Sequence, residues 1–255
     1  MSYFEKAKSV IKNEGFATFF RKVNNRLITP IRLKVDIFFA KFFSRAYIKG
    51  FHKFFYYRFF SKSPYEKKIF WLGKEISKLP LDSWIYQEIL WELKPDVLVE
   101  CGTDKGGSAF FFASIFDLLG KGEVITIDIN DTEVPHPRVT KIKGSSVSEE
   151  TYAKVKKMAE GKKVMVVLDS DHTRDHVIRE MKLYGELVTP GFYMVVEDSN
   201  INGHPVLPGW GAGPMEAIKK FLKQRNDFVI DISREKFGVT FYPRGFLKKV
   251  VTSKK

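Results

Sequence analysis

Five acidic residues stand where apolar runs end. "VLVE" closes on Glu100, "VITID" on Asp128, "VMVVLD" on Asp169, and "YMVVED" on Glu197 and Asp198. A carboxylate at the end of a buried strand is costly unless it meets a donor or a cation. Separate runs that all finish this way point to one shared edge at which acids collect. Gly102, Gly106 and Gly107 follow Glu100 and let backbone approach a ligand closely.

Asp128 is placed to take the two hydroxyls of a ribose, the role of the acid after the second strand of a nucleotide-binding unit. The glycines do not form G-x-G-x-x-G, and a carboxylate beside the turn sits badly against a pyrophosphate. S-adenosylmethionine carries a sulfonium and an ammonium and no phosphate, so on charge it suits this turn better than NAD. Asp169 and the Glu197–Asp198 pair end neighbouring runs, and converging carboxylates repel unless a cation joins them. Oxygen-only ligands suit Mg²⁺, with Mn²⁺ or Ca²⁺ behind it. Such an ion can lower the pKa of a substrate hydroxyl. His172 in "LDSDH" is a candidate general base. His204, on the glycine–proline loop "NINGHPV", is a second substrate or base candidate.

These residues need a frame that puts strand ends together. Apolar, β-rich runs at 96–100, 123–129, 138–144, 163–169 and 191–198 read as strands. Helical patterns at 106–120, 148–160, 173–188 and 213–225 alternate with them, and Ser148 reads as an N-cap. "FVIDI" and "GVTFYP" read as closing strands. The alternation predicts a doubly wound, Rossmann-like α/β sheet, mostly parallel with an antiparallel last strand, whose ligands bind beyond the carboxyl ends.

The net charge of +13 is uneven. Residues 1–70 hold 16 Lys+Arg against 4 Asp+Glu, and 19 of the 38 aromatics. The division predicted is a basic, aromatic, helical extension over 1–70 and a nearly neutral domain over 71–255. A nearly neutral domain argues against nucleic-acid binding. Within 36–60, Lys41, Arg45, Lys49 and Lys53 recur every four residues among phenylalanines and tyrosines. Such a helix suits an anionic membrane surface, or packing on its own domain or a second copy in a homo-oligomer. Charges interrupt every apolar run, so no membrane span or signal peptide is expected. The single cysteine, Cys101, excludes a disulfide framework and reads as a small buried residue in a reducing compartment. The expected location is cytoplasmic, on the inner face of the membrane where the extension engages it.

"KLPLDSWIYQEILWELKPDVLVECGTDKGGSAFFFASI", "VLDSDH", "VVEDSNINGHPVLPGWGAGPMEAI" and "EKFGVTFYPRGFLKK" resemble, in order, the cephalosporin hydroxylase family, with which rhamnosyl O-methyltransferases group. The resemblance spans roughly 70–250 and stops short of the extension. It implies a class I S-adenosylmethionine-dependent methyltransferase fold and O-methylation of a small-molecule or lipid-linked sugar. It further implies a cofactor pocket lined by Glu100, Gly102, Gly106, Ser108 and Asp128, with Ser145 and Ser146 near the adenine and Gln87 approaching from the preceding helix. A divalent metal held by Asp169, Glu197 and Asp198 is implied as well.

Competing chemistries fare worse. No H-x-D/E occurs among the five histidines, against an iron-dependent hydroxylase. Tyr152 and Lys156 form Y-x-x-x-K, but before the fourth strand, where a dehydrogenase pair does not belong. A non-catalytic, membrane-associated scaffold is the alternative of a different class.

Overall fold

The computed structural model describes residues 3–60 and 67–251, with side-chain surroundings given for all of these except residues 3, 4, 27 and 40–43. Two compact units result, Met1–Gly50 and Phe51–Lys255.

The first unit is helical. Helix α1 (Tyr3–Val23) is broken at Gly15, whose φ of 82° and ψ of 162° leave helical space; glycine alone takes that conformation without strain. A π-helical turn, Asn24–Ile28, leads into α2 (Thr29–Phe59). In this unit Phe16, Phe20, Ile31, Leu33, Phe38 and Tyr47 are exposed. No described helix is long and apolar enough to cross a membrane.

The second unit begins in the last turns of α2. His52 and Tyr56, four residues apart, are buried on one face, while Phe51, Phe54 and Tyr57 remain exposed. His52 stacks on Phe241 at 5.2 Å, and Tyr56 and Phe60 meet the same ring edge-on. Asn200 donates its Nδ2–H to His52 Nε2 at 2.9 Å. Burial pushes the imidazole down to about 4, so the neutral ring can accept.

A two-stranded hairpin follows, β1 (Phe70–Trp71) and β2 (Lys74–Glu75), then α3 (Pro80–Leu93), β3 (Val97–Cys101), α4 (Gly107–Leu119), β4 (Glu123–Asp128) and β5 (Val139–Lys143). Next come α5 (Glu149–Ala159), β6 (Val164–Leu168), α6 (Arg174–Leu187), β7 (Tyr193–Val196), α7 (Pro214–Leu222), β8 (Phe228–Ile230) and β9 (Phe246–Lys249). The seven-stranded sheet runs β5-β4-β3-β6-β7-β9-β8. Its first five strands are parallel, and β9 is antiparallel to both neighbours. Strands β3, β6 and β7 are buried throughout, as strands covered on both faces must be. Ser148 does cap α5, accepting from Thr151 N–H at 3.2 Å.

The chain winds from β3 through β4 and β5 to one side, then returns through β6 and β7 to the other. The switch point, where α/β sheets open a crevice, therefore lies between β3 and β6. One expectation fails. "GVTFYP" is a buried loop, and the antiparallel strand is Phe246–Lys249. The Asp82 carboxylate takes the Phe241 N–H at 2.8 Å and Thr240 Oγ1 takes that of Tyr242 at 3.0 Å, so two donors that a ladder would use are claimed by side chains.

Candidate active site

The acids converge as their strand-end positions require. Asp169 N–H donates to Cys101 C=O at 2.8 Å, and Glu197 N–H to Leu168 C=O at 3.0 Å, so the residues beyond β3, β6 and β7 continue side by side. Gly102 sits at the switch point with φ 102°, and a Cβ there would lie 2.0 Å from the Asp169 carbonyl oxygen. Only glycine permits that approach.

On the β4 side a cleft of roughly 390 Å³ opens, lined by Gly102, Asp128, Ser145, Ser146, Asp171 and His176 among others. Asp128 accepts from the backbone N–H groups of Thr103 (2.9 Å) and Asp104 (3.0 Å) through Oδ2, and from Asn130 (2.8 Å) through Oδ1. It thus clips the glycine turn to the end of β4 while facing the cleft. Ser146 leads to a group that sequence reasoning missed. Its hydroxyl donates to Glu180 Oε1 at 2.5 Å, as does Ser170 at 2.6 Å. Glu180 is fully buried and its Oε2 has no partner. His176, whose pKa is raised mainly by this carboxylate, completes the wall.

Glu100 is deeper than expected. It is fully buried and lines neither this cleft nor the smaller recess beside the turn, which Ser108, Gly102, Lys78 and Asp169 share. It stands opposite Thr126, which donates to its Oε2 at 2.7 Å and meets Thr103 Oγ1 at 2.7 Å. Burial pushes Glu100 up to about 7, against the pull of Lys78 and this hydrogen bond. Glu100 therefore braces the turn from beneath. Gly106 also lines neither space; a Cβ there would strike Val134 Cγ2 at 2.5 Å.

At the β6–β7 end, Asp169, His172 and Asp198 each offer a ligand atom, all within 4.8 Å of one another. Asp198 has φ 53°, a conformation sparse for non-glycine residues and frequent at functional sites. His172 Nε2 lies 3.3 Å from Asp198 Oδ2. Burial works against its charge, but Asp198 and Asp169 outweigh it and raise its pKa. Burial raises both aspartates.

Glu197, expected as a third ligand, belongs to another set of contacts. Lys78 Nζ donates to both its oxygens at 2.7 Å and to Asp169 Oδ2 at 3.0 Å. Tyr86 O–H donates to Glu197 Oε1 at 2.6 Å. Nothing in the sequence separates Lys78 from the other 42 basic residues. Two further candidates are not drawn in. His204 bonds Glu216 at 2.9 Å, outside the Asp169–His172–Asp198 group. Gln87 lines an apolar groove of roughly 570 Å³ with Trp71, Trp84, Trp91 and Lys78, and not the cleft.

A doubly wound sheet with a phosphate-averse cleft at its switch point and acids at its carboxyl edge defines a class I methyltransferase-like site. The comparisons agree. The model of the Rhamnosyl O-methyltransferase/CmcI family matches residues 63–250. Rhamnosyl O-methyltransferases of Mycobacterium bovis (strain BCG / Pasteur 1173P2) and Mycobacterium leprae are similar at 41% identity. The first match covers 87% of this chain and 94% of the relative, and the second 69% and 81%. A solved CmcI structure with Mg and SAM has a TM-score of 0.57 and 22% identity over 72% of this chain and 77% of its own. The chain belongs to the Rhamnosyl O-methyltransferase/CmcI family, and it is an O-methyltransferase.

Proposed function

We propose that the protein transfers a methyl group from S-adenosylmethionine to a sugar hydroxyl, assisted by a divalent cation of the Mg²⁺ type. The observation that carries the cofactor choice is the cleft's charge. Among the described residues that line it there are four aspartates and no lysine or arginine. Such a wall repels a pyrophosphate and suits a cationic nucleoside. Asp128 would take the ribose, and Ser145 and Ser146 the adenine end. Asp169 and Asp198 would hold the cation; two carboxylates, with water and an acceptor oxygen, suit an ion that keeps much of its hydration. The metal supplies Lewis acidity to an acceptor hydroxyl, and the cofactor supplies the activated methyl group.

His172 then has a defined task. Its ring, beside Asp198, takes the hydroxyl proton, and the neighbouring carboxylates stabilise the imidazolium that forms. The sugar acceptor rests on the 41% identity to rhamnosyl O-methyltransferases over nearly their whole length. A glycolipid, a polysaccharide precursor and a glycosylated metabolite all present such a hydroxyl. The exposed aromatics and the Arg45, Lys49 and Lys53 side chains of α2 support docking of residues 36–60 on an anionic membrane surface; the side chain of Lys41 lies outside the described residues.

Calorimetric titration of S-adenosylmethionine, with and without Mg²⁺, tests the reading. Saturable binding is expected, weakened at least tenfold in Asp128→Ala, a loss of about 1.4 kcal/mol or more that suits hydrogen bonds to a charged group. Absence of binding by the folded wild type would move the reading to a scaffold, and binding of NAD instead would make it an oxidoreductase.

A further inference from the structure

Glu180 is fully buried on α6 and is not itself a wall of the cofactor cleft, yet it engages two side chains that are. The Ser146 hydroxyl donates to its Oε1 at 2.5 Å and the Ser170 hydroxyl at 2.6 Å, and both serines line the cleft. One helix face builds this arrangement. His176, Glu180 and Tyr184 follow at four-residue spacing, which puts them on one side of α6. All three reach Ser146. His176 Nε2 lies 3.2 Å from its Oγ, Glu180 accepts its O–H, and Tyr184 O–H donates to its carbonyl at 2.8 Å. A serine hydroxyl has one hydrogen to donate. Ser146 and Ser170 both spend theirs on Glu180, so each presents only oxygen lone pairs to the cleft. His176 Nε2, also 3.3 Å from Ser170 Oγ, meets those oxygens only as a donor, and a single N–H leaves lone pairs over.

We infer that Glu180 is a positioning residue that sets the base specificity of the cleft: by taking both serine hydrogens it makes Ser146 and Ser170 fixed acceptors, which select a purine with a 6-amino group over one with a 6-oxo group. The inference rests on the S-adenosylmethionine reading above, which puts the adenine end at Ser145 and Ser146. The adenine amino group carries two N–H donors. Hypoxanthine in its place carries a carbonyl oxygen, facing two oxygens that have no hydrogen to offer. An unconstrained serine rotates its hydroxyl to satisfy either base and does not choose. Here rotation breaks a hydrogen bond to a buried carboxylate, and a buried acceptor that loses its donor is costly. A site built to bond an N–H rejects an analogue that lacks it, because its own buried polar groups are then left unpaired.

S-adenosylhomocysteine and S-inosylhomocysteine differ only in that group and in the N1 hydrogen that comes with it. Their affinities are measured by calorimetry on wild type, Glu180→Leu and Glu180→Gln. Wild type should bind the adenosine form at least tenfold tighter. Glu180→Leu removes the acceptor and frees both hydroxyls, so the ratio should fall below threefold, chiefly by a gain for the inosine form. Glu180→Gln keeps an acceptor oxygen and should keep the tenfold ratio. A glutamate that only braces the fold would leave the ratio intact in Glu180→Leu while both ligands weaken alike; that result overturns the inference, as does loss of the ratio in Glu180→Gln. If Glu180→Leu does not fold, Ser146→Ala decides: a preference reduced at least threefold supports the inference, and an intact preference overturns it. Equal binding of the two ligands by wild type overturns it while leaving the cofactor reading in place. A wild type that binds neither overturns both.

Discussion

The carboxyl edge of the sheet and the N-terminal helices each invert an ordinary rule of folding. At the edge, charged groups are buried: Lys78, Glu100, Glu180 and Glu197 are 2% exposed or less. In the helices, aromatic groups are exposed: Phe16 at 63%, Phe20 at 61% and Phe54 at 61%. The difference lies in what answers the cost. Buried charges are answered mainly from within, by Lys78, Tyr86, Thr126, Ser146 and Ser170, with Glu100 Oε1 and Glu180 Oε2 left without a hydrogen-bond partner. Exposed aromatics invite an answer from outside the chain. An edge answered from within can hold geometry to ångström tolerance, which chemistry needs; a surface answered from without can only recruit.

The largest expected effect tests the edge. Asp198→Asn keeps shape and removes one charge from the Asp169–His172–Asp198 group. Turnover should fall about a thousandfold, equivalent to roughly 4 kcal/mol of barrier, with S-adenosylmethionine affinity within threefold of wild type. A variant that retains a tenth of the activity would remove Asp198 from the chemistry and leave the edge as scaffold.

How much of this was legible in the sequence differs between the regions for the same physical reason. Parallel strands must end at one edge, so apolar runs that finish in Asp128, Asp169, Glu197 and Asp198 announce a site. Alternation and run length say nothing of depth. Glu100 was therefore placed at a ligand, whereas it lies under the turn between Thr126 and Lys78. The contact of Glu197 with Lys78, 119 residues away along the chain, was likewise out of reach. "GVTFYP" has strand chemistry, but the carboxylate that claims its N–H is 159 residues distant. In the helices the four-residue spacing of cations was legible, yet the same spacing describes the stripe His52–Tyr56 that docks on Phe241 and the residues beside it that stay in water. Period gives a face, and only tertiary contact says which face is covered.

A middle-sized effect separates those two faces. His52 has its pKa lowered to about 4 by burial, against 6.5 in the unfolded chain. Between these values the unfolded state binds more protons, so stability is complete above pH 6.5 and is lost as pH falls toward 4. The loss should reach about 3 kcal/mol at most, at 1.36 kcal/mol per pKa unit. Urea unfolding of wild type and His52→Gln across this range isolates the contribution, because acids at the sheet edge titrate in both proteins. Equal pH slopes would mean that the end of α2 is not held by His52 and that the docked stripe is no sturdier than its exposed neighbours.

The smallest effect tests the recruiting surface. Lys49 is exposed on α2, one turn from Arg45 and from Lys53. A basic side chain near an anionic surface contributes about 1 kcal/mol, a factor of about five in partitioning, and the attraction decays within a Debye length. Lys49→Gln should therefore weaken cosedimentation with vesicles containing phosphatidylserine about fivefold at low salt. The difference should shrink at high salt, and S-adenosylmethionine affinity should not move. A loss that ignores salt would assign the face to apolar packing, and no loss would assign it to a second copy of the chain.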